Sequence, residues 1–304
     1  MTAIETNGLR KRYGDDILAL DGIDLRIEEG EIFGFLGPNG AGKSTTINIL
    51  LDFVRPTNGS ATVLGMDAQD QSQEIRRRTG VLPEGYQIYE RLTGRYHIEF
   101  VAESKGVDIN PDEILSRVGL ADAADRKAGG YSKGMQQRLT LGMALVGDPD
   151  LLILDEPSTG LDPSGVRDVR EIVHEEADRG TTVFFSSHIL SQVEAVCDRV
   201  GILRQGELVA VDTVDGLRDS VGAETTLRVT VQGLTDDARE AVRALEGVSD
   251  LQVEGETLIA SVSDGAKTSV ITTLESEGVS VADFSTEEAD LEQLFMSYTG
   301  GETA

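Results

Sequence analysis

Near the start of the chain apolar and polar residues alternate in places. Leu18, Leu20, Ile23, Leu25 and Ile27 are separated by polar side chains, with Gly14, Asp21-Gly22 and Glu29-Gly30 as punctuation. A period of two predicts strands with one buried face, here short and antiparallel. Three further segments, 32–36, 151–154 and 182–185, are apolar almost throughout. Such runs suit strands covered on both faces, as in a parallel sheet flanked by helices. A helix is predicted from about 43 to 53. Residues 86–146 read as mostly helical, with breaks at Gly106, Pro111 and Gly119.

The pattern changes near Ser220. Downstream it predicts a strand at 227–231, a helix at 235–245, strands at 251–254 and 257–262, a helix at 266–277, a strand at 279–284 and a closing helix at 287–298. The first six elements follow the order β-α-β-β-α-β of the ferredoxin-like arrangement. The expected organisation is therefore an α/β domain over 1–219 and a small α+β domain over 220–304. The second stretch carries 17 acidic and 4 basic residues, a net of −13, and no catalytic constellation.

The length of 304 residues agrees with two domains. The formal net charge is −27, from 54 acidic and 27 basic residues. That charge repels a phosphate backbone and argues against nucleic acid as a partner. Only six lysines are present (Lys11, Lys43, Lys105, Lys127, Lys133 and Lys267), the other basic residues being arginine. High acidity with scarce lysine suits a salt-rich, halophilic cytoplasm. Cys197 is the single cysteine, so an intrachain disulfide is excluded; it reads as a small buried hydrophobe. No apolar run approaches the ~18–20 residues of a membrane span, and residues 1–12 lack a signal peptide's apolar stretch. A soluble, cytosolic protein is expected. The Arg76-Arg77-Arg78 run reads as a solvated helix face, and His97 and His174 as surface residues without a role.

Chemistry enters with Gly37-Pro38-Asn39-Gly40-Ala41-Gly42-Lys43-Ser44, between a predicted strand and a predicted helix. Glycines at this spacing turn backbone N–H groups toward phosphates, and the helix N-terminus adds favourable dipole charge. Lys43 then pairs with the β- and γ-phosphates and Ser44 holds Mg²⁺. The 151–154 strand runs into Asp155 and Glu156, at the edge where parallel sheets bind ligands. Asp155 suits the Mg²⁺ side and Glu156 a base for the attacking water. The 182–185 strand runs into Ser186, Ser187 and His188, which favours a γ-phosphate contact for the histidine.

These motifs, in this order, resemble the ATP-binding subunit of an ABC transporter over roughly residues 3–215. Gly37–Ser44 resembles its Walker A loop, 151–156 its Walker B strand, 131–137 its signature loop, 158–162 its D-loop, and His188 its switch histidine. The resemblance implies a P-loop NTPase cassette, with a RecA-like core, an antiparallel β subdomain and a helical subdomain at about 86–146. It implies ATP and Mg²⁺ as cofactors and ATP hydrolysis with Glu156, His188 and Lys43 as catalytic residues. It places Tyr13 against adenine, the loop from Gly37 to Thr45 around the phosphates, and Ser132 and Gly134 against a nucleotide held by a second subunit. Ser132 also reads as an ordinary helix N-cap. The implied partners are a second cassette, joined on ATP binding, and a separate membrane permease that holds the protein at the cytoplasmic face of the membrane.

Two motifs depart from the family's pattern. Lys133 and Met135 stand where the signature usually has glycine and glutamine. Glu84 stands where the family usually has the Q-loop glutamine; it can ligate Mg²⁺ as a carboxylate, and Gln87 is the alternative for that position. The segments 82–84, 131–134, 284–288 and 291–295 resemble the exporter (type-2) branch. A soluble ABC ATPase of translation or DNA repair is the competing reading, but those usually carry two cassettes or a long coiled coil, and here there is one Walker A motif. A GTPase-like switch lacks its base-reading motif.

Overall fold

The computed structural model describes residues 1–14, 16–220, 225–255, 257–263 and 265–287. The chain forms two compact units that part after Val214. The first contains, in order, β1 (Thr2–Tyr13), β2 (Ile17–Glu28), β3 (Ile32–Leu36), α1 (Lys43–Leu50), β4 (Asn58–Val63), β5 (Met66–Asp67), α2 (Ser72–Arg78), β6 (Thr79–Leu82), α3 (Gly94–Lys105), α4 (Pro111–Arg117), α5 (Lys133–Leu145), β7 (Leu151–Asp155), α6 (Pro163–Asp178), β8 (Thr182–Ser187), α7 (Leu190–Glu194), β9 (Arg199–Arg204) and β10 (Glu207–Thr213). The helix α8 (Val214–Ser220) spans the division.

An antiparallel sheet has the order β2-β1-β4-β5. Its first two strands are 12 residues each, longer than the short strands expected. The pairing skips Gly22, which lies between the pairs Asp21↔Arg10 and Ile23↔Leu9 and has φ +82°. Asp21-Gly22 is thus a bulge inside one strand, and the bulge resets the buried face from Leu20 to Ile23. That is why the alternation looked broken.

The second sheet has the order β10-β9-β3-β8-β7-β6 and is parallel from β9 to β6. β3, β7 and β8 are buried along their whole length, as their uninterrupted apolar runs require. Phe33, Phe35 and Phe184 pack together in its core, with the Phe35 and Phe184 ring centroids 5.1 Å apart. The edge strands β6 and β10 and the short β4 and β5 have no long apolar run to announce them; β9, second from the edge, is buried over 200–203.

Helices of the 86–146 region begin only at Gly94, with Thr93 as N-cap accepting from Tyr96 N. Gly106 caps α3 in the left-handed conformation, Pro111 opens α4, and Gly119 follows the C-cap of α4 at φ +64°, so all three expected breaks are helix ends. Helix α1 stops at Leu50, short of 53, because Asp52 turns to φ +55°.

The second unit comprises β11 (Thr225–Gln232), α9 (Asp236–Arg243), β12 (Val248–Glu254), β13 (Thr257–Val262), α10 (Ala266–Ser276) and β14 (Ser280–Glu287). Its sheet is antiparallel with the order β12-β13-β11-β14, the ferredoxin-like topology. Leu227, Val229, Leu258, Val242 and Val270 are fully buried between sheet and helices. The closing helix expected at 287–298 and the 291–295 motif lie outside the described residues, apart from Glu287, which ends β14.

Candidate functional site

The loop joining β3 to α1 is set from beneath. Gly42 is the N-cap of α1 with φ +116°, and a Cβ there would lie 2.7 Å from the Ala19 carbonyl oxygen. Both facts require glycine. Gly37 and Ala41 do not line the cavity above the loop. A Cβ on Gly37 would lie 2.5 Å from the Leu203 carbonyl oxygen, and Ala41 is buried. The cavity has a volume of about 370 Å³. Pro38, Asn39, Gly40, Gly42, Lys43, Ser44 and Thr45 line one wall; Ile17, Leu18 and Ala19, then Glu84, Asp155 and Glu156, line the rest. The N-terminus of α1 points its free N–H groups at this space, which favours an anion.

Asp155 ends β7, and Glu156 follows with φ +51°, a left-handed conformation uncommon outside glycine. The bond from Glu156 N to Ser186 O, 3.0 Å, holds this turn against β8. The Glu156 carboxylate faces two basic groups. Its Oε1 lies 3.4 Å from Lys43 Nζ, and its Oε2 lies 2.9 Å from His188 Nδ1. Lys43 Nζ also donates to the carbonyls of Gly37, at 2.6 Å, and Pro38, at 3.4 Å. His188 thus reaches the site through Glu156 and is not itself a wall of the cavity.

Burial pushes the Asp155 carboxyl above its ordinary value; the nearby Ser186 and Ser44 hydroxyls act in the opposite direction, and the Glu84 and Glu156 charges add to the rise. Asp155 Oδ1 is buried without a hydrogen-bond donor, and Glu156 Oε1 is buried with only the Lys43 ion pair at 3.4 Å. The orphaned Asp155 oxygen beside the Ser44 hydroxyl makes a hard oxygen donor set that fits Mg²⁺. Among the described residues no group of three His, Cys, Asp or Glu side chains is arranged to hold a metal. Ser44 and Asp155 therefore fit an ion that takes its remaining ligands from phosphate and water. Glu84 shares the cavity wall, whereas Gln87 is exposed and does not.

Tyr13 is 40 % exposed, with Lys11 Nζ 4.9 Å from its ring centroid. It is not a wall of the cavity, but it pairs with Ile17, which is. Ile17, Leu18 and Ala19 belong to no motif; only the hairpin pairing brings them here. Ser132 caps α5, accepting from Met135 N at 3.3 Å, so the N-cap reading holds. Ser132 is exposed, a Cβ on Gly134 would meet nothing within 4 Å, and neither residue lines the cavity. Gln137 Nε2 donates to Pro157 O at 2.6 Å and so ties α5 to the turn after Glu156.

His174 is exposed and Cys197 is buried, as expected. His97 is not a surface residue. It is 2 % exposed, and both of its ring nitrogens are bonded to backbone. A polar neighbourhood in sequence hid it, because its partners are main-chain groups of Tyr89 and Thr93.

The family profile "ABC transporter" matches residues 20–159. The chain is 33% identical to the linearmycin resistance ATP-binding protein LnrL of Bacillus subtilis, over 98% of each chain. It is 35% identical to the bacitracin transport ATP-binding protein BcrA of Bacillus licheniformis, over 99% of each. It is 37% identical to the daunorubicin resistance ATP-binding protein DrrA2 of Streptomyces coeruleorubidus, over 99% of this chain and 96% of that one. A solved ATP-binding subunit of an ABC transporter superposes with a TM-score of 0.66 at 30% identity, covering 73% of this chain and 94% of that one. With this cavity, these carboxylates and relatives matched from end to end, the chain belongs to the ATP-binding subunits of ABC transporters, the ATPases that power transport.

Proposed function

We propose that two copies of this chain close on two ATP–Mg²⁺ complexes and drive export through a separate membrane permease. The observation that carries this reading is a division of the motifs. Lys43, Ser44, Asp155 and Glu156 line one cavity, while Ser132 and Gly134 are displayed outside it. A hydroxyl and an open glycine at a helix N-terminus form an anion-facing surface that the chain's own cavity does not use. A second copy supplies the missing wall. In this arrangement Lys43 and the loop amides take the phosphates, Ser44 and Asp155 hold Mg²⁺, Glu156 activates water, and His188 orients Glu156 and reaches the γ-phosphate. Glu84 stands at the metal side of the same space.

No helix among the described residues is long and apolar enough to cross a membrane, so the transport path belongs to a partner. That partner holds the protein at the cytoplasmic face. LnrL, DrrA2 and BcrA are named for resistance to, or transport of, linearmycin, daunorubicin and bacitracin. Export of a comparable toxic compound is the class of transport we assign, within a salt-rich host. Light scattering tests the composite site. The Glu156→Gln chain should be monomeric alone and dimeric at saturating ATP–Mg²⁺, and Ser132→Glu should block dimerisation. A chain that stays monomeric under those conditions overturns the reading.

A further inference from the structure

A separate cavity of about 200 Å³ opens between α6 and α7 and shares no residue with the one lined by Lys43 and Glu156. Its floor is apolar and buried: Val169 of α6, Phe185 of β8 and Val196 just after α7. Arg167 and Arg170 border it, three residues apart and so on one face of α6. Neither guanidinium has a hydrogen bond or an ion pair among the described residues. Glu171 follows Arg167 by four residues, within pairing reach along a helix, and is not paired with it. Elsewhere in this acidic chain Arg95, Arg117 and Arg199 each sit on a carboxylate. Two polar walls of the cavity are open as well. Ser158 is 4% exposed, and its hydroxyl bonds to no described residue. Gln192 Oε1 accepts from Ser187 Oγ at 3.3 Å, which leaves the Gln192 amide N–H groups free among the described residues.

We propose that this cavity binds a small organic anion, its carboxylate held by Arg167 and Arg170 and its apolar body laid on Val169, Phe185 and Val196. A guanidinium fork matches a carboxylate with two parallel charge-assisted bonds. A bare inorganic anion would leave the apolar floor wet, and an uncharged body would leave both arginines unused. An apolar cavity of about 150 Å³ takes benzene, so this volume suits a body of about six to eight carbons. The Ser158 hydroxyl and the Gln192 amide add donors of their own. A buried hydroxyl without a partner costs free energy that a guest recovers. The site needs no nucleotide. It adjoins the hydrolytic residues, because Ser158 lies two residues after Glu156 and Gln192 is bonded to Ser187, the neighbour of His188.

Titration calorimetry on the nucleotide-free full chain, in low-chloride buffer, tests this with octanoate, 1-octanol and acetate. Octanoate should bind about tenfold or more tighter than the alcohol, which lacks the charge, and than acetate, which lacks the body. Replacing both arginines (Arg167→Gln with Arg170→Gln) should weaken octanoate about tenfold or more and leave 1-octanol within about twofold. Ala195→Trp, at an exposed position of the cavity wall, should block octanoate while keeping both arginines. These substitutions lie outside the buried core, so the melting temperature without ligand should change little. The His188 ring resonances should shift with octanoate in the parent chain and in neither variant. Octanoate that binds no tighter than 1-octanol, that keeps its affinity in either variant, or that leaves His188 unshifted overturns the proposal.

Discussion

Lys43 Nζ lies 3.4 Å from Glu156 Oε1, and the two side chains are 6% and 4% exposed. The cation we propose for the phosphates and the base we propose for the water thus hold each other. Lys43 is also folded back onto the carbonyls of Gly37 and Pro38. In the proposed site an incoming triphosphate would compete for Lys43 and so free Glu156 for the water. Attraction in a buried site is strong enough for this exchange to matter, since the local dielectric is far below that of water.

Lys43→Ala should therefore act twice. ATP loses a charge-assisted contact of roughly 1.5–3 kcal/mol, so affinity falls about tenfold or more. The nucleotide-free chain should also melt at a lower temperature, because a buried carboxylate loses its cation. Titration calorimetry and thermal unfolding read the two effects separately. Undiminished ATP binding would contradict the assignment of the loop.

Glu156→Gln should separate binding from chemistry. The amide keeps the shape but removes the base, and such groups contribute about 10²–10⁴-fold to turnover. It also removes the competitor for Lys43, so ATP should bind at least as tightly as before. His188→Ala removes the partner of Glu156 Oε2, 2.9 Å away, and should lower kcat with little change in ADP affinity. Turnover by Glu156→Gln near the wild-type rate would place the base elsewhere.

Much of this site was legible in sequence because its parts are contiguous. Gly37 to Ser44 and Leu151 to Glu156 are unbroken strings whose strand-then-turn context is written beside them. What stayed hidden is made by pairing across the chain. Ile17, Leu18 and Ala19 become a wall only through the hairpin with β1, and Gly22 reads as a turn until its place in the register shows a bulge. The departure at His97 has the same origin: its partners are backbone groups, which carry no residue-type signal.

Asp155 gives a pH dependence. Burial raises its carboxyl above the ordinary value, so the nucleotide-free fold binds a proton there more tightly than the unfolded chain does. A raised acid stabilises the fold while protonated and loses that contribution as pH rises through its folded value. Metal binding has the opposite demand, because only the carboxylate ligates Mg²⁺. Affinity for ATP–Mg²⁺ should fall on acidification at a higher pH than an ordinary aspartate predicts, while ATP measured in chelator should change less. Asp155→Asn should raise the melting temperature of the nucleotide-free chain near neutral pH and abolish the Mg²⁺-dependent gain in affinity. A lowered melting temperature would show that the carboxylate is better solvated than its surroundings imply.

Salt should stabilise this protein. A net charge of −27 on 304 residues is a self-repulsion that works against compactness. Added salt shortens the screening length from about 8 Å at physiological strength to about 3 Å at 1 M. Salt also weakens exposed ion pairs, such as Arg78–Asp150 at 2.7 Å with side chains 42% and 53% exposed, but pairs of that kind contribute only about 0–1 kcal/mol. Buried pairs, Lys43–Glu156 and Arg117–Glu176 among them, are screened least. The repulsion therefore outweighs what the attractive pairs lose, and the melting temperature should climb between 0.1 M and 2 M KCl. The gain should shrink when exposed acids of the second unit, such as Asp236, Asp237 and Asp250, are replaced by Asn, because the same screening then acts on less charge. Melting curves that coincide at both salt concentrations would rule out adaptation to a salt-rich cytoplasm as the reason for this composition.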